Sequence, residues 1–342
     1  MIPSSPSPSL PTIAVTSGDP AGIGPEICLD LFQDAETLSV CTPLVFCDAP
    51  VMRERAELTG KPLPETVIPF TEWVKNTEKT EVPALIDFGG LLAGAVTPGT
   101  VNAATGQAAY DYIVGSIDAA LEGRIDGVAT GPIHKEALRA AGVPQPGHTE
   151  IFAERSKAVR ACMMLTSPKI TCSFATTHIG YRDVPGALSI ERVLDVIQLT
   201  AEAMRRIRGR EPHLVVNGLN PHAGEHGLFG GGEEEEIIQP AIDQARKEGI
   251  QIEGPLPPDT AFLPGRLANT DAFVCMYHDQ GHIPLKMLAF DSAINTTLGL
   301  PIIRTSVDHG TALDIAGQGK ADASSLFLAI QMAARLAGDA TA

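Results

Sequence analysis

Thr12-Ile13-Ala14-Val15-Thr16-Ser17-Gly18-Asp19-Pro20-Ala21-Gly22-Ile23-Gly24-Pro25-Glu26 sets the architecture of this chain. Thr12–Thr16 reads as a strand and Gly18–Gly24 as a Gly/Pro turn. Pro25 opens a helix, because the missing N–H of proline has no partner to lose in the first helical turn. The same order recurs downstream. Leu44–Cys47 reads as a strand, Tyr110–Glu122 as a helix, and Gly127–Ala129 as a short strand ending in Thr130-Gly131-Pro132. Ile170–Thr176 is a strand that ends before His178, and Ile190–Arg208 is an amphipathic helix. Leu214–Asn217 (strand), Glu233–Lys247 (helix), Ala272–Tyr277 (strand) and Ser324–Leu336 (closing helix) complete the series. Strand–loop–helix alternation predicts an α/β fold with mainly parallel strands.

The 342 residues are 44% hydrophobic, enough for a large core and for two lobes rather than one. A formal charge of -16 argues against nucleic-acid or anionic-membrane binding, either of which needs a cationic face. It leaves room for a local basic pocket around an anionic substrate. The six cysteines form no C-x-x-C pair and read as reduced, mostly buried thiols of a cytoplasmic protein. Residues 1–11 are rich in Ser and Pro and read as a disordered tail without signal-peptide features. No apolar stretch approaches the ~20 residues a membrane helix needs.

In α/β folds, functional groups collect in loops at the carboxyl ends of strands. His178, His222 and His278 each follow a separate strand. Neutral imidazoles suit zinc, cobalt and related ions, and three of them leave positions open for substrate. A single loop histidine is more often a hydrogen-bonded structural residue, so the shared placement carries the metal reading. His282 has the spacing of an i,i+4 ligand to His278, but Pro284 argues against a long helix there. Lys286, Arg304 and His148-Thr149 suit an anion, and the apolar run Gly299–Ile303 carries Arg304 inward. Asn295 offers an amide to a substrate hydroxyl or phosphate. His309-Gly310-Thr311-Ala312-Leu313-Asp314-Ile315-Ala316-Gly317 reads as a nucleotide loop. Asp314 there accepts from ribose hydroxyls and repels a 2′-phosphate, favouring NAD over NADP. The Gly18–Glu26 spacing is not G-x-G-x-x-G, and a tight turn explains it as well. Gly230–Glu236, three glycines then four glutamates, reads as a flexible turn and an acidic helix start favoured by the helix dipole.

Six segments in series resemble the 4-hydroxythreonine-4-phosphate dehydrogenase family of vitamin B6 (pyridoxal phosphate) biosynthesis. They are Gly18–Glu26, Thr130–Lys135, Gly147–Glu150, Asn220–Glu225, Tyr277–Gly281 and Arg304–Ala312, and the match runs from about residue 12 to residue 335. The loop His309–Gly319 is also similar to the adenosine-binding loop of isopropylmalate and isocitrate dehydrogenases. The resemblance implies two α/β/α lobes of that dehydrogenase type with an active-site cleft between them. Residues 12–145 and 296–342 would form the first lobe, and 146–295 the second, with the metal and the dimer interface. It implies a cytoplasmic homodimer whose shared active sites take ligands from both chains.

The implied activity is an NAD-dependent, divalent-metal-dependent dehydrogenase (EC 1.1.1) using zinc, cobalt or magnesium. It would oxidise and decarboxylate a phosphorylated 3-hydroxy acid, 4-phosphohydroxy-L-threonine giving 3-amino-2-oxopropyl phosphate. The implied metal ligands are His178, His222 and His278. Substrate contacts come from His148, Thr149, Lys286, Asn295 and Arg304, with Lys286 and His148 as acid–base candidates. Cofactor contacts come from His309, Gly310 and Asp314. Gly281–Lys286, with Gly227–Gly230, looks closer to a branch acting on 4-phospho-D-threonate or 4-phospho-D-erythronate. A cis-dihydrodiol dehydrogenase fits less well, because Arg304 and Asp308 suit a phosphorylated substrate. A non-catalytic sensor would not need the full set of substrate contacts.

Overall fold

The computed structural model describes residues 10–289 and 292–338. Most of the tail expected at 1–11 lies outside the described residues. Twelve strands are found among them, in chain order β1 (Thr12–Thr16), β2 (Thr42–Cys47), β3 (Val67–Pro69), β4 (Ala84–Asp87), β5 (Gly127–Thr130), β6 (Cys162–Thr166), β7 (Thr171–Phe174), β8 (His213–Asn217), β9 (Gln251–Leu256), β10 (Ala272–Cys275), β11 (Ile294–Leu298) and β12 (Arg304–Ser306). The chain packs as two compact α/β units. One runs up to Lys157 and resumes over Pro301–Ala337, and the other is Ala158–Leu300. His148 and Thr149 therefore belong with the first unit.

In the first unit the strand order is β3-β4-β2-β1-β5-β12, and every pair is parallel. β1, β2, β5 and β12 are buried along their whole length, as strands of a parallel sheet covered by helices must be. The β1 turn is tied to the loop after β5: Asp19 N–H donates to Pro132 O at 2.9 Å. Gly18 sits there at φ +75°, and a Cβ on it would lie 2.1 Å from Pro132 O, so only glycine fits. The helix Ala103–Leu121 starts seven residues before the expected Tyr110. Asn102 caps it, accepting from Ala104 N and Thr105 N, while Thr105 Oγ1 accepts from Asn102 N. That reciprocal cap contributes about 1 kcal/mol.

In the second unit the order is β11-β6-β7-β10-β8-β9. β7, β10, β8 and β9 run parallel, while β6 is antiparallel to both β7 and β11. The helix Ile190–Arg208 is capped by Ser189, whose Oγ accepts from Arg192 N, and stops at Gly209 in the left-handed conformation. It buries Val193, Val196, Ile197, Met204 and Ile207 along one face, each worth about 1.5–3 kcal/mol on transfer from water.

One expectation is overturned. A helix does run through Pro284, spanning His278–Ala289. Pro284 forfeits one backbone bond, but Leu285 is fully buried and the ring of His282 packs on Phe174, which hold the segment in place. The acidic helix start expected at Glu233–Glu236 is present, although Glu234 turns inward. It opens on a π turn, Glu234–Ile238, and the side chain of Glu234 is 2% exposed. The six cysteines are all buried and free. Among the described residues, no helix is long and apolar enough to cross a membrane.

Candidate active site

β7 and β10 are parallel neighbours, with Cys172 beside Phe273 and Phe174 beside Cys275. The pairing continues past the strand ends. Ala175 N donates to Cys275 O at 2.8 Å, and Thr176 Oγ1 donates to Met276 O at 2.7 Å. His178 and His278 therefore leave the sheet side by side, with ring centroids 5.7 Å apart. Two imidazoles sharing a tetrahedral ion at 2.0–2.1 Å would stand roughly 5–5.5 Å apart, centroid to centroid. The observed spacing is slightly wider than that.

His278 Nδ1–H donates to Asp279 Oδ1 at 2.6 Å, since a carboxylate only accepts. This leaves Nε2 as the ring nitrogen whose lone pair could meet a metal. Tyr181 OH donates to Asp279 Oδ2. The hydrogen bond from Tyr181, then that from His278, hold the Asp279 carboxyl below its usual range. His282 stacks on His278 with centroids 3.6 Å apart and an interplanar angle of 11°. Lys286, one turn further along the same helix, is half-buried.

β8 lies on the other side of β10 and delivers the loop that carries His222. Gln280 binds that loop to the start of the helix after β10: its Oε1 accepts from Met276 N and its Nε2 donates to Gly218 O, both at 2.7 Å. His222, Ala223, Glu225 and His226 have φ of 54°, 50°, 43° and 57°. Each left-handed non-glycine residue costs about 1–2 kcal/mol, so the surroundings must impose the conformation. Among the described residues, no three His, Cys, Asp or Glu side chains converge closely enough to hold an ion. The chain thus brings His178 and His278 together, and His222 does not complete the trio within it. Asn295 lies half-buried on β11, opposite Leu165.

The residues of the first unit expected to bind an anion do gather. Arg304 opens β12 and is 3% exposed. Its Nη2 donates to Thr130 Oγ1 at 3.0 Å, and the guanidinium lies over the ring of Phe152, 5.4 Å from the centroid. Burial lowers its pKa to about 10, which leaves it cationic at neutral pH. His148 begins the helix His148–Ser156, so its ring sits where helix N–H groups are unsatisfied. Part of the residue reaches solvent, but Nε2 is buried with no hydrogen-bond partner among the described residues. Burial, reinforced by the charge of Arg304, pushes the His148 pKa well below its usual value. A cationic guanidinium, a neutral imidazole and a helix N-terminus together have the chemistry to hold an anion. Thr149 is exposed beside it.

The loop after β12 packs on the β1 turn. Ile23 N donates to Thr311 O at 3.0 Å, and Gly99 N donates to Ala21 O at 2.8 Å. Buried Glu26 accepts from Gly317 N at 2.5 Å and stands 3.9 Å from the buried guanidinium of Arg55, whose Nη2 donates to Pro20 O at 2.8 Å. His309 Nδ1 engages Gly310 O at 3.0 Å, and Asp314 projects into solvent. The sequence reading missed Asp279, Gln280, Glu234, Phe152 and Arg55. Asp279 and Gln280 had a usable signal, since both adjoin His278 in a motif that had been noticed.

The α/β architecture is shared with a beta-decarboxylating dehydrogenase of Thermococcus kodakarensis (TM-score 0.50, 13% identity, 94% of this chain and 82% of the other), a likeness of fold alone. The class is thus that of mixed α/β proteins with this fold. More specifically, the chain belongs to the family of the pyridoxal phosphate biosynthetic protein PdxA, whose model matches residues 39–333. It is 46% identical to a 4-hydroxythreonine-4-phosphate dehydrogenase of Desulforapulum autotrophicum over 95% of both chains. It is 41% identical to a D-threonate 4-phosphate dehydrogenase of Cupriavidus necator, over 96% of this chain and 98% of that one. A crystal structure of 4-hydroxythreonine-4-phosphate dehydrogenase from Klebsiella pneumoniae matches with TM-score 0.84 and 39% identity, over 98% of this chain and all of the other. These relatives are dehydrogenases, and the chain is an oxidoreductase of their family.

Proposed function

We propose that this protein is an NAD-dependent, divalent-metal-dependent dehydrogenase that oxidises and decarboxylates 4-phosphohydroxy-L-threonine to 3-amino-2-oxopropyl phosphate. The observation that carries the reading is the His178–His278 pair at adjacent strand ends, with Asp279 fixing the second imidazole. The identity with relatives named for this activity supports it. His178, His222 and His278 would hold a divalent ion, which would supply Lewis acidity toward the substrate hydroxyl, and bound NAD would supply the hydride acceptor.

The chain's own residues do the rest. Arg304, the helix start at His148 and the Thr149 hydroxyl hold the phosphate and so fix the reacting carbon. The neutral Nε2 of His148 is available to the substrate. Lys286 takes the hydroxyl proton as general base and returns one after carbon dioxide leaves. Asn295 binds a substrate polar group. Asp314 receives the ribose hydroxyls, while His309 and Gly310 border the adenosine. The functional unit is a cytoplasmic homodimer. Tyr181, 66% exposed and bonded to Asp279 beside His278, belongs to the surface that a second copy covers, and that copy completes the ligand set.

A second reading, oxidation of 4-phospho-D-threonate or 4-phospho-D-erythronate, is favoured by the Cupriavidus necator relative and by the likeness of Gly281–Lys286 to that branch. The test is NADH formation with the amino acid and the two sugar acids side by side. Preference for the amino substrate supports the first reading and preference for a sugar acid the second. Activity on none of them refutes both.

A further inference from the structure

We infer that Glu234 is a positioning residue for His222: a buried carboxylate that sets the backbone presenting this histidine. The inference rests on the metal reading of His222 above. Glu234 lies on the π turn Glu234–Ile238 and points back into the loop after β8. Its Oε1 accepts from Leu219 N at 2.8 Å and from Asn220 N at 2.7 Å, and its Oε2 accepts from Asn220 Nδ2 at 3.0 Å. Three donors on one carboxylate fix the two residues immediately before Pro221-His222.

The inner face of the loop is shaped to that carboxylate. A Cβ on Gly224 would lie 2.7 Å from Glu234 Oε2, and one on Gly218 would lie 3.1 Å from Oε1. Glu233 takes the Asn220 amide as well, at 2.9 Å. Just beyond this anchor the chain enters the left-handed run that begins at His222. Such a run persists only where the surroundings over-determine it, and it marks segments whose geometry is functional. A π turn in a helix recurs at functional sites for the same reason. A loop that merely joined β8 to a helix would have no need of a buried carboxylate at its centre. Glu234 thus acts as the outer partner that orients a ligand, through two residues of backbone rather than by a bond to the ring.

The test is a Co²⁺ titration of the metal-stripped full-length protein, followed by the visible absorption of the bound ion, for wild type, Glu234→Gln and His222→Ala. Thermal unfolding is measured alongside. Glu234→Gln is expected to weaken Co²⁺ by about 10–100-fold and to change its absorption, while the fold and the KM for NAD hold. A folded Glu234→Gln with wild-type affinity and spectrum, beside a His222→Ala that loses the ion, overturns this inference alone. Wild-type affinity in His222→Ala overturns the metal reading and this inference with it. Should Glu234→Gln not fold, Gly224→Ala carries the test by crowding the same carboxylate from within the loop. The same weakening is expected, and a folded Gly224→Ala that binds Co²⁺ as wild type does overturns the inference.

Discussion

Replacing Arg304 by lysine tests the phosphate site quantitatively. The guanidinium is 3% exposed, is oriented by Thr130 Oγ1 at 3.0 Å, and is laid over Phe152. Its pKa of about 10 leaves it charged throughout the working range, so the substitution preserves charge and removes the fork. At least one ionic hydrogen bond to phosphate is lost, worth about 1.5–3 kcal/mol. At about 1.4 kcal/mol per tenfold, KM for the phosphorylated substrate should rise by roughly 10–150-fold. Because the phosphate contact is the same in the ground and transition states, kcat should change far less. The assay is steady-state NADH formation with the phosphorylated substrate and with its dephosphorylated analogue. The penalty should vanish for the analogue, which has no phosphate to lose. An unchanged KM, or an equal penalty on both compounds, would refute the assignment of Arg304.

Three further outcomes are expected. His148 has a folded pKa well below 6.5, so the unfolded chain binds more protons between the two values. Its contribution to stability is therefore complete above about pH 6.5 and is lost as pH falls toward the folded pKa. Denaturant midpoints of wild type should drop relative to His148→Gln on acidification, and parallel curves would contradict this. Glu26→Gln leaves the buried guanidinium of Arg55 without its counter-charge, so unfolding free energy should fall by about 3–5 kcal/mol. KM for NAD should rise modestly in the same variant, as Gly317 N exchanges a charged acceptor for a neutral amide oxygen. Asp314→Ala removes one repulsion of roughly 1 kcal/mol from a 2′-phosphate, so the NADP-to-NAD ratio of kcat/KM should rise about fivefold or more. An unchanged ratio would place the ribose elsewhere.

Features decided within a few residues were legible in the sequence. The β1–turn–helix unit carries its own punctuation at Gly18 and Pro25, and the apolar run Ala272–Met276 marks the strand that delivers His278. Arg304 was legible for a similar reason, since the apolar residues before it announce burial. Features decided by distant partners were misread. Nothing near Glu234 distinguishes it from its three acidic neighbours, because the donors it serves lie 14 and 15 residues earlier. Pro284 reads locally as a helix breaker, and only the packing around Leu285 and His282 outweighs it. β6 pairs with β7 as a hairpin closed by Ser167–Ile170, but its other antiparallel neighbour, β11, comes from a remote part of the chain, a choice no local pattern encodes.

The most direct measurement strips the protein with a chelator and follows NADH and carbon dioxide from 4-phosphohydroxy-L-threonine and NAD, before and after Zn²⁺, Co²⁺ or Mg²⁺ is restored. The account predicts no turnover in the stripped protein, and one carbon dioxide per NADH once a metal returns. Full turnover without metal, or NADH formed without carbon dioxide, would contradict it.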